Sequence, residues 1–160
     1  INEKLGGKAE VAIIAQDNVE AVIKRGNGIE DTIKKLAPNA KIVSRQAGDT
    51  PEQAMKIAET VMQAHPNVKV FQAVNDSGAL GVYAAIKAMG KNTSDFYIGG
   101  ADATAEALSK MKEKGSVYRS TIDIDPYGTG KKCVDVMLDY VRTGVKNETF
   151  YFDMKPIWQQ

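Results

Sequence analysis

The stretch VFQAVNDSGALGVYAAIKAMG, Val70 to Gly90, runs apolar, turns polar at Asn75 and Asp76, and then resumes an apolar rhythm that a glycine closes. Its first part reads as a buried strand and its second as a helix from about Asp76 to Met89, capped at Gly90. An amide beside a carboxylate at such a junction leaves two readings open. Either residue caps the helix, whose first N–H groups lack intrahelical partners, or the pair faces a ligand.

The same strand-then-helix unit recurs on either side. EVAIIAQ (Glu10 to Gln16) is strand-like, and Val19, Val22, Ile23, Gly26, Ile29, Ile33 and Leu36 follow at helical spacing until Pro38 and Asn39. KIVSRQA is a more polar strand. Thr50-Pro51-Glu52-Gln53 supplies an N-cap, a proline at the first helical position and a glutamine three residues after the cap. That helix buries Ala54, Ile57, Ala58, Val61 and Met62 and ends at His65-Pro66-Asn67. DFYIGGA and VYRSTIDI read as further strands, separated by a helix through Ala107, Leu108 and Met111 that stops at Gly115. A last helix runs from about Tyr127 to Arg142, Gly144 closes it, and TFYFDMK reads as a final strand.

Strict alternation implies an α/β fold, a three-layer sandwich with a mostly parallel, doubly wound sheet, because each right-handed crossover returns the chain to start another parallel strand. At 160 residues and 43% hydrophobic content, one core and one domain over 1–160 are expected. Lysine and arginine number 21 against 20 acids, for a net charge of +1, with no block of like charges. A nucleic-acid partner is therefore not expected, since phosphate binding wants a basic patch. The longest apolar runs are too short to cross a bilayer. The lone Cys133 excludes an internal disulfide and a cysteine zinc cluster. INEKLGGK has neither an initiator methionine nor a targeting pattern and reads as the last turn of a helix stopped at Gly6-Gly7, so the chain is expected to be a fragment or a processed product.

In a sheet of this kind ligands sit beyond the carboxyl ends of the strands. That rule selects Asp17 and Asn18 after the first strand, Gly48 and Asp49 after the second, Asn75 and Asp76 after the third, and Asp102 after the fourth; Arg25, two turns into the first long helix, reaches back to the same edge. Catalytic readings find little support. The only histidine, His65, sits at a helix end on the opposite side of the sheet, away from any nucleophile it would serve. Gly26-Asn27-Gly28 lacks the third glycine of a dinucleotide fingerprint and lies inside a helical pattern, where close packing of helix on sheet explains it. Asp123 and Asp125 share a strand face, but nothing completes a metal or acid–base site, and a solvated strand end before Pro126 is the default. A phospho-accepting receiver domain would need more than one aspartate after strand one and a lysine at strand five. No cofactor, no metal and no enzymatic activity are expected.

LGGKAEVAII, KRGNGIEDTI, MQAHPNVKVFQAVNDSGALGVYAAIKAMG, YIGGADATAEALSKMKEKGSV and TIDIDPYGTGKKCVDVM, in this order, resemble the C-terminal lobe of type I periplasmic sugar-binding proteins, the ribose-binding-like receptors of ABC transporters. The sensing domain of lac-repressor-type transcription regulators shares the fold and is the alternative. The resemblance implies a receptor that closes two lobes around a sugar or polyol, partnered by an N-terminal lobe not in this chain and by an ABC transporter permease, and located in the periplasm or outside the cell as a membrane-anchored lipoprotein. Arg25, Asn75 and Asp102 correspond to the family residues that grip sugar hydroxyls, with Asp17 and Asp49 on the same edge. On this reading Asn75 faces ligand and Asp76 caps the helix; without the resemblance, Asn75 and Asp102 read first as helix caps and Arg25 as a surface residue.

Two departures point away from ribose itself, toward another polyol or a modified sugar. Ile124 stands where sugar binders place a glutamine, and Asp49 where the ribose receptor has an aromatic. In the family the helix at 126–144 belongs to the first lobe. Here it carries Cys133, Val134, Val136, Met137, Leu138, Tyr140 and Val141, and covering that face is worth roughly 1.5–3 kcal/mol for each large apolar side chain. The helix is therefore expected to fold back on the chain's own sheet or to pack against a second copy, giving a homodimer through residues 130–142.

Overall fold

Six strands and six helices alternate in the computed structural model, which describes residues 1–48, 50–145 and 152–159. The order is α1 (Asn2–Leu5), β1 (Glu10–Ala15), α2 (Glu20–Leu36), β2 (Lys41–Ala47), α3 (Pro51–Ala64), β3 (Val68–Ala73), α4 (Asp76–Ala88), β4 (Tyr97–Gly99), α5 (Ala105–Lys112), β5 (Tyr118–Asp123), α6 (Pro126–Thr143) and β6 (Lys155–Trp158). The sheet runs β2-β1-β3-β4-β5-β6. Strands β1 to β5 pair in parallel, and β6 joins β5 antiparallel.

The strand order sorts the helices. The chain moves outward from β1 to β2 through α2 and in the opposite direction through α3, α4 and α5, so right-handed crossovers place α2 on one face and the other three on the second. The main core agrees: Ala54, Ala58, Val61 and Met62 of α3, Ala79, Val82 and Ile86 of α4, and Ala107 and Met111 of α5 pack with Ala12, Ile14, Phe71 and Ile98 of the strands. Val11, Ile13 and Ala15 of β1 are also buried but stand outside that cluster, as strand alternation under α2 requires. Helices α3 and α4 meet closely because Gly81 has no side chain; a Cβ there would stand 2.2 Å from the Pro51 carbonyl oxygen and 2.8 Å from the Ala54 Cβ.

Local signals act as their chemistry dictates. Thr50 and Gln53 form the reciprocal capping box at the start of α3, and α1 ends on Gly6 in the left-handed conformation. His65 is the C-cap of α3, its N–H bonded to the Val61 carbonyl at the amino-terminal side of the sheet. Gly26 is buried in α2, where a Cβ would meet the Arg45 guanidinium at 3.0 Å, so its role is close packing.

Two expectations need correction. The final strand is KPIW, Lys155–Trp158, and begins where TFYFDMK ends. Phe152 to Met154 are not in a strand, and residues 149–151 of that stretch lie outside the described residues. Pro156 is tolerated because β6 is an edge strand with only β5 as neighbour. Nor does α6 fold back on the sheet: none of its residues is buried, and Val134, Met137, Leu138, Tyr140 and Val141 stand exposed. It starts from Asp125, which has a left-handed backbone and accepts from Gly128 N–H as the helix cap.

Candidate functional site

The carboxyl ends of β3 and β4, with helix α2 beside them, gather a small polar group. Arg25 projects from the second turn of α2, and its Nη1 donates to Oδ1 of Asp102 at 3.1 Å and to the Val74 carbonyl at 3.2 Å. One guanidinium thus joins the turn after β3 to the turn after β4. Both side chains stay about one third exposed, at 36% and 30%, so the pair is open to solvent on one side. Burial nevertheless pushes the Asp102 carboxyl above its ordinary range, and the hydrogen bond and charge of Arg25 only partly offset this. The chain turns sharply here: Asp102 has φ 109° and Ala103 φ 52°, two consecutive left-handed residues that are not glycine.

Asn75, expected to face ligand, is the N-cap of α4, with its Oδ1 accepting from Gly78 N–H at 2.8 Å. Capping occupies the oxygen only. Its Nδ2 group, like Nε and Nη2 of Arg25, has no protein acceptor among the described residues, and Asn75 directly follows the Val74 carbonyl that Arg25 holds. Asp76 does not cap the helix. It is fully buried, with its carboxylate turned inward to β5 and α5.

Asp17 goes elsewhere. Its carboxylate is held by Arg45 of β2, with Nη2 at 2.7 Å and Nε at 3.2 Å, and the same guanidinium reaches Asn27 and Glu30 of α2. This ionic cluster ties α2 to the outer strand, and it holds Glu30 below the usual carboxylate range through Lys34 and Arg45. Asp49 lies outside the described residues. Asp123 and Asp125 form a local turn: Asp123 Oδ1 accepts from Asp125 N–H, and Asp125 caps α6. Among the described residues no cluster of three His, Cys, Asp or Glu side chains is placed to hold a metal ion.

A guanidinium fork, a carboxylate and a spare amide donor at one rim form a set that can both give and accept hydrogen bonds, which is what a hydroxyl needs from its partner. Residues 1–146 match the family described as Periplasmic binding protein domain. The chain belongs to that family. This periplasmic binding protein domain is 34% identical over 148 residues to the D-allose-binding periplasmic protein of Escherichia coli (strain K12), covering 90% of this chain and 46% of that one. It is 35% identical over 152 residues to the D-apiose import binding protein of Paraburkholderia graminis, covering 88% and 47%. The chain therefore spans about half the length of the curated relatives it matches. In fold it superposes on an ABC transporter periplasmic solute binding protein from Actinobacillus succinogenes 130z with bound D-allose, at TM-score 0.89 and 24% identity, over 99% of this chain and 56% of that one.

Within this domain, sequence reasoning assigned Arg25, Asn75 and Asp102 to one edge, and the structure brings Arg25 and Asp102 into an ion pair there. Sequence reasoning missed Arg45, the partner of Asp17, and the buried partners of Asp76. Arg45 stood in the more polar strand KIVSRQA, and that polarity was the available signal. The contacts between Asp76 and Tyr118 or Thr121 span 42 and 45 residues of chain, beyond the reach of any local pattern.

Proposed function

We propose that this domain is one lobe of a solute-binding receptor of a sugar-type ABC transporter, closing with a second lobe around a sugar or polyol. The observation that carries this reading is the Arg25–Asp102 pair at the carboxyl edge of the sheet, with donors of Arg25 and Asn75 beside it that meet no acceptor among the described residues. Hydrogen bonds to charged partners contribute on the order of 1.5–3 kcal/mol each once water is excluded. The named functions of the relatives, D-allose binding and D-apiose import, support a hydroxyl-rich ligand and favour transport over the sensing domain of a transcription regulator. The role is binding and delivery, with no bond made or broken.

In the intact receptor the apolar side of α6 meets the other lobe, which accounts for its lack of any buried residue here; a second copy offers the same cover where that lobe is absent. Asp17 stands at the outer part of the same edge, where it acts through Arg45, and Asp49 is assigned to that edge from the sequence alone. A permease is the transport partner, and the location is periplasmic or, with a lipid anchor, extracellular.

A thermal-shift screen of the two-lobed protein against D-allose, D-apiose, D-ribose and myo-inositol tests the reading. A sugar present at one hundred times its Kd stabilises by about 2.7 kcal/mol. The shift is expected for at least one of these and is expected to vanish in Asp102→Ala; an unchanged shift in that variant would move the site elsewhere.

A further inference from the structure

Asp76 is not needed as a cap, because Asn75 already closes the amino end of α4. Yet its carboxylate is wholly buried and collects four donors. Oδ1 accepts from Tyr118 Oη and Thr121 Oγ1, both at 2.7 Å, and Oδ2 accepts from Thr104 N–H at 2.7 Å and Thr104 Oγ1 at 3.0 Å. Four donors on two oxygens match the acceptor capacity of an ionised carboxylate. Two come from β5 and form a rigid anchor. The other two come from the residue that ends the turn carrying Asp102.

That turn holds Asp102 at φ 109° and Ala103 at φ 52°, conformations that persist only where the surroundings enforce them. The enforcement is visible. Asp102 N–H donates to the Ile122 carbonyl at 2.8 Å, Ala103 N–H to Thr121 Oγ1 at 3.2 Å, and Thr104 N–H to Asp76. The Thr121 hydroxyl receives from the turn and donates to Asp76, so the carboxylate grips the turn directly and through Thr121. Gly100 makes the approach feasible, since a Cβ there would fall 2.4 Å from Asp76 Oδ1 and 2.2 Å from Tyr118 Oη. Burial and the neighbouring Asp76 push the Tyr118 hydroxyl far up, so it remains a donor at neutral pH.

We propose that Asp76, which is buried out of contact with solvent, is the positioning residue of this edge: by holding Thr104 against β5 it sets the left-handed turn that aims the Asp102 carboxylate at Arg25. Its importance for sugar binding rests on the function proposed above. The positioning itself does not, and it is tested without ligand.

The test is NMR on this 160-residue chain, comparing wild type, Asp76→Ala, Asp76→Asn, Asp102→Asn and the core variant Met62→Ala, whose site in α3 lies in the main core. In Asp76→Ala, the Thr104 amide is expected to exchange at least tenfold faster, and the Arg25 guanidinium resonances are expected to move to the positions they take in Asp102→Asn. Asp76→Asn retains one acceptor for the fixed Thr104 N–H donor and is expected to restore both signals toward wild type. Met62→Ala loses global stability and is expected to leave both signals unchanged. Asp76→Ser replaces Asp76→Ala if the latter does not fold. Arg25 and Thr104 signals in Asp76→Ala that match wild type, or that move equally in Met62→Ala, would overturn the proposal. Absence of any sugar response in the wild-type receptor would count against the proposed function alone and leave this result standing.

Discussion

Nη1 of Arg25 sits 3.1 Å from Oδ1 of Asp102, so a residue of α2 and the turn after β4 meet across the end of β3. Solvent-accessible ion pairs such as this one, about one third exposed, contribute about 0–1 kcal/mol to stability. The pair therefore adds little to the stability of the fold.

That small contribution gives a stability test. Asp102 is held at φ 109°, and burial raises its carboxyl above the ordinary range, so both backbone and charge are kept at some expense. Asp102→Gly removes both and is expected to raise the unfolding free energy by about 1 kcal/mol, the low end of the cost of one such backbone conformation. Urea denaturation checks this, and a loss of stability would show that the ion pair supports the fold more than the strain opposes it.

Gly100 gives the opposite case. An alanine Cβ would collide with Tyr118 Oη and Asp76 Oδ1 at 2.2 and 2.4 Å, forcing apart a buried hydrogen-bonded group. Gly100→Ala is expected to cost about 3 kcal/mol, combining overpacking with a buried acceptor left short of donors. The midpoint of urea unfolding measures it, and a change under about 0.5 kcal/mol, the range typical of surface substitutions, would contradict the packing described.

A surface cluster sets a pH dependence. The hydrogen bond from Lys110, followed by that from Tyr83, draws Glu113 down to about 2, with Lys87 adding to the same effect. A depressed carboxylate contributes stability that is present above its unfolded pKa of about 4.3 and is lost as pH falls toward the folded value. The carboxyl carbon of Glu113 is expected to titrate near pH 2, and Glu113→Gln to flatten the acid limb of the stability curve between those values. Titration at the ordinary glutamate position would show that the cluster does not form in solution.

The fold was legible because each element carries its own local signal: the capping box at Thr50, the glycines after α1 and α6, and the unbroken apolar run of β1, buried on both faces. The edge that carries the candidate site was legible from topology, which sends Arg25, Asn75 and Asp102 to one rim. What the residue types left open was the direction of each side chain. Asn75 and Asp76 are both competent caps, and only the packing of β5 below decides that Asn75 takes the cap while Asp76 turns inward. Asp17 could not be paired from sequence because its partner, Arg45, lies 28 residues away on another strand. The last strand was misplaced because Pro156 reads as a breaker until β6 is known to be an edge.

In the monomer, helix α6 should be the least protected long helix of this chain. It buries no residue, whereas α4 buries eight of its thirteen. Hydrogen exchange is expected to be complete in α6 well before α3 or α4 begin to exchange, because local opening there exposes no core. Protection of α6 equal to that of α4 would mean that another copy of the chain covers it, and light scattering would then show a dimer.

The central claim is that Arg25, Asn75 and Asp102 form one jaw for a hydroxyl-rich molecule. The most direct measurement is an NMR titration of this chain with D-allose and D-apiose at tens of millimolar, a range suited to the weak binding expected of one lobe, at about −3 kcal/mol or less favourable. The account predicts saturable shifts confined to these three residues and the 102–104 turn, absent in Asp102→Ala. Shifts that cluster on another surface, or that persist unchanged in that variant, would contradict it.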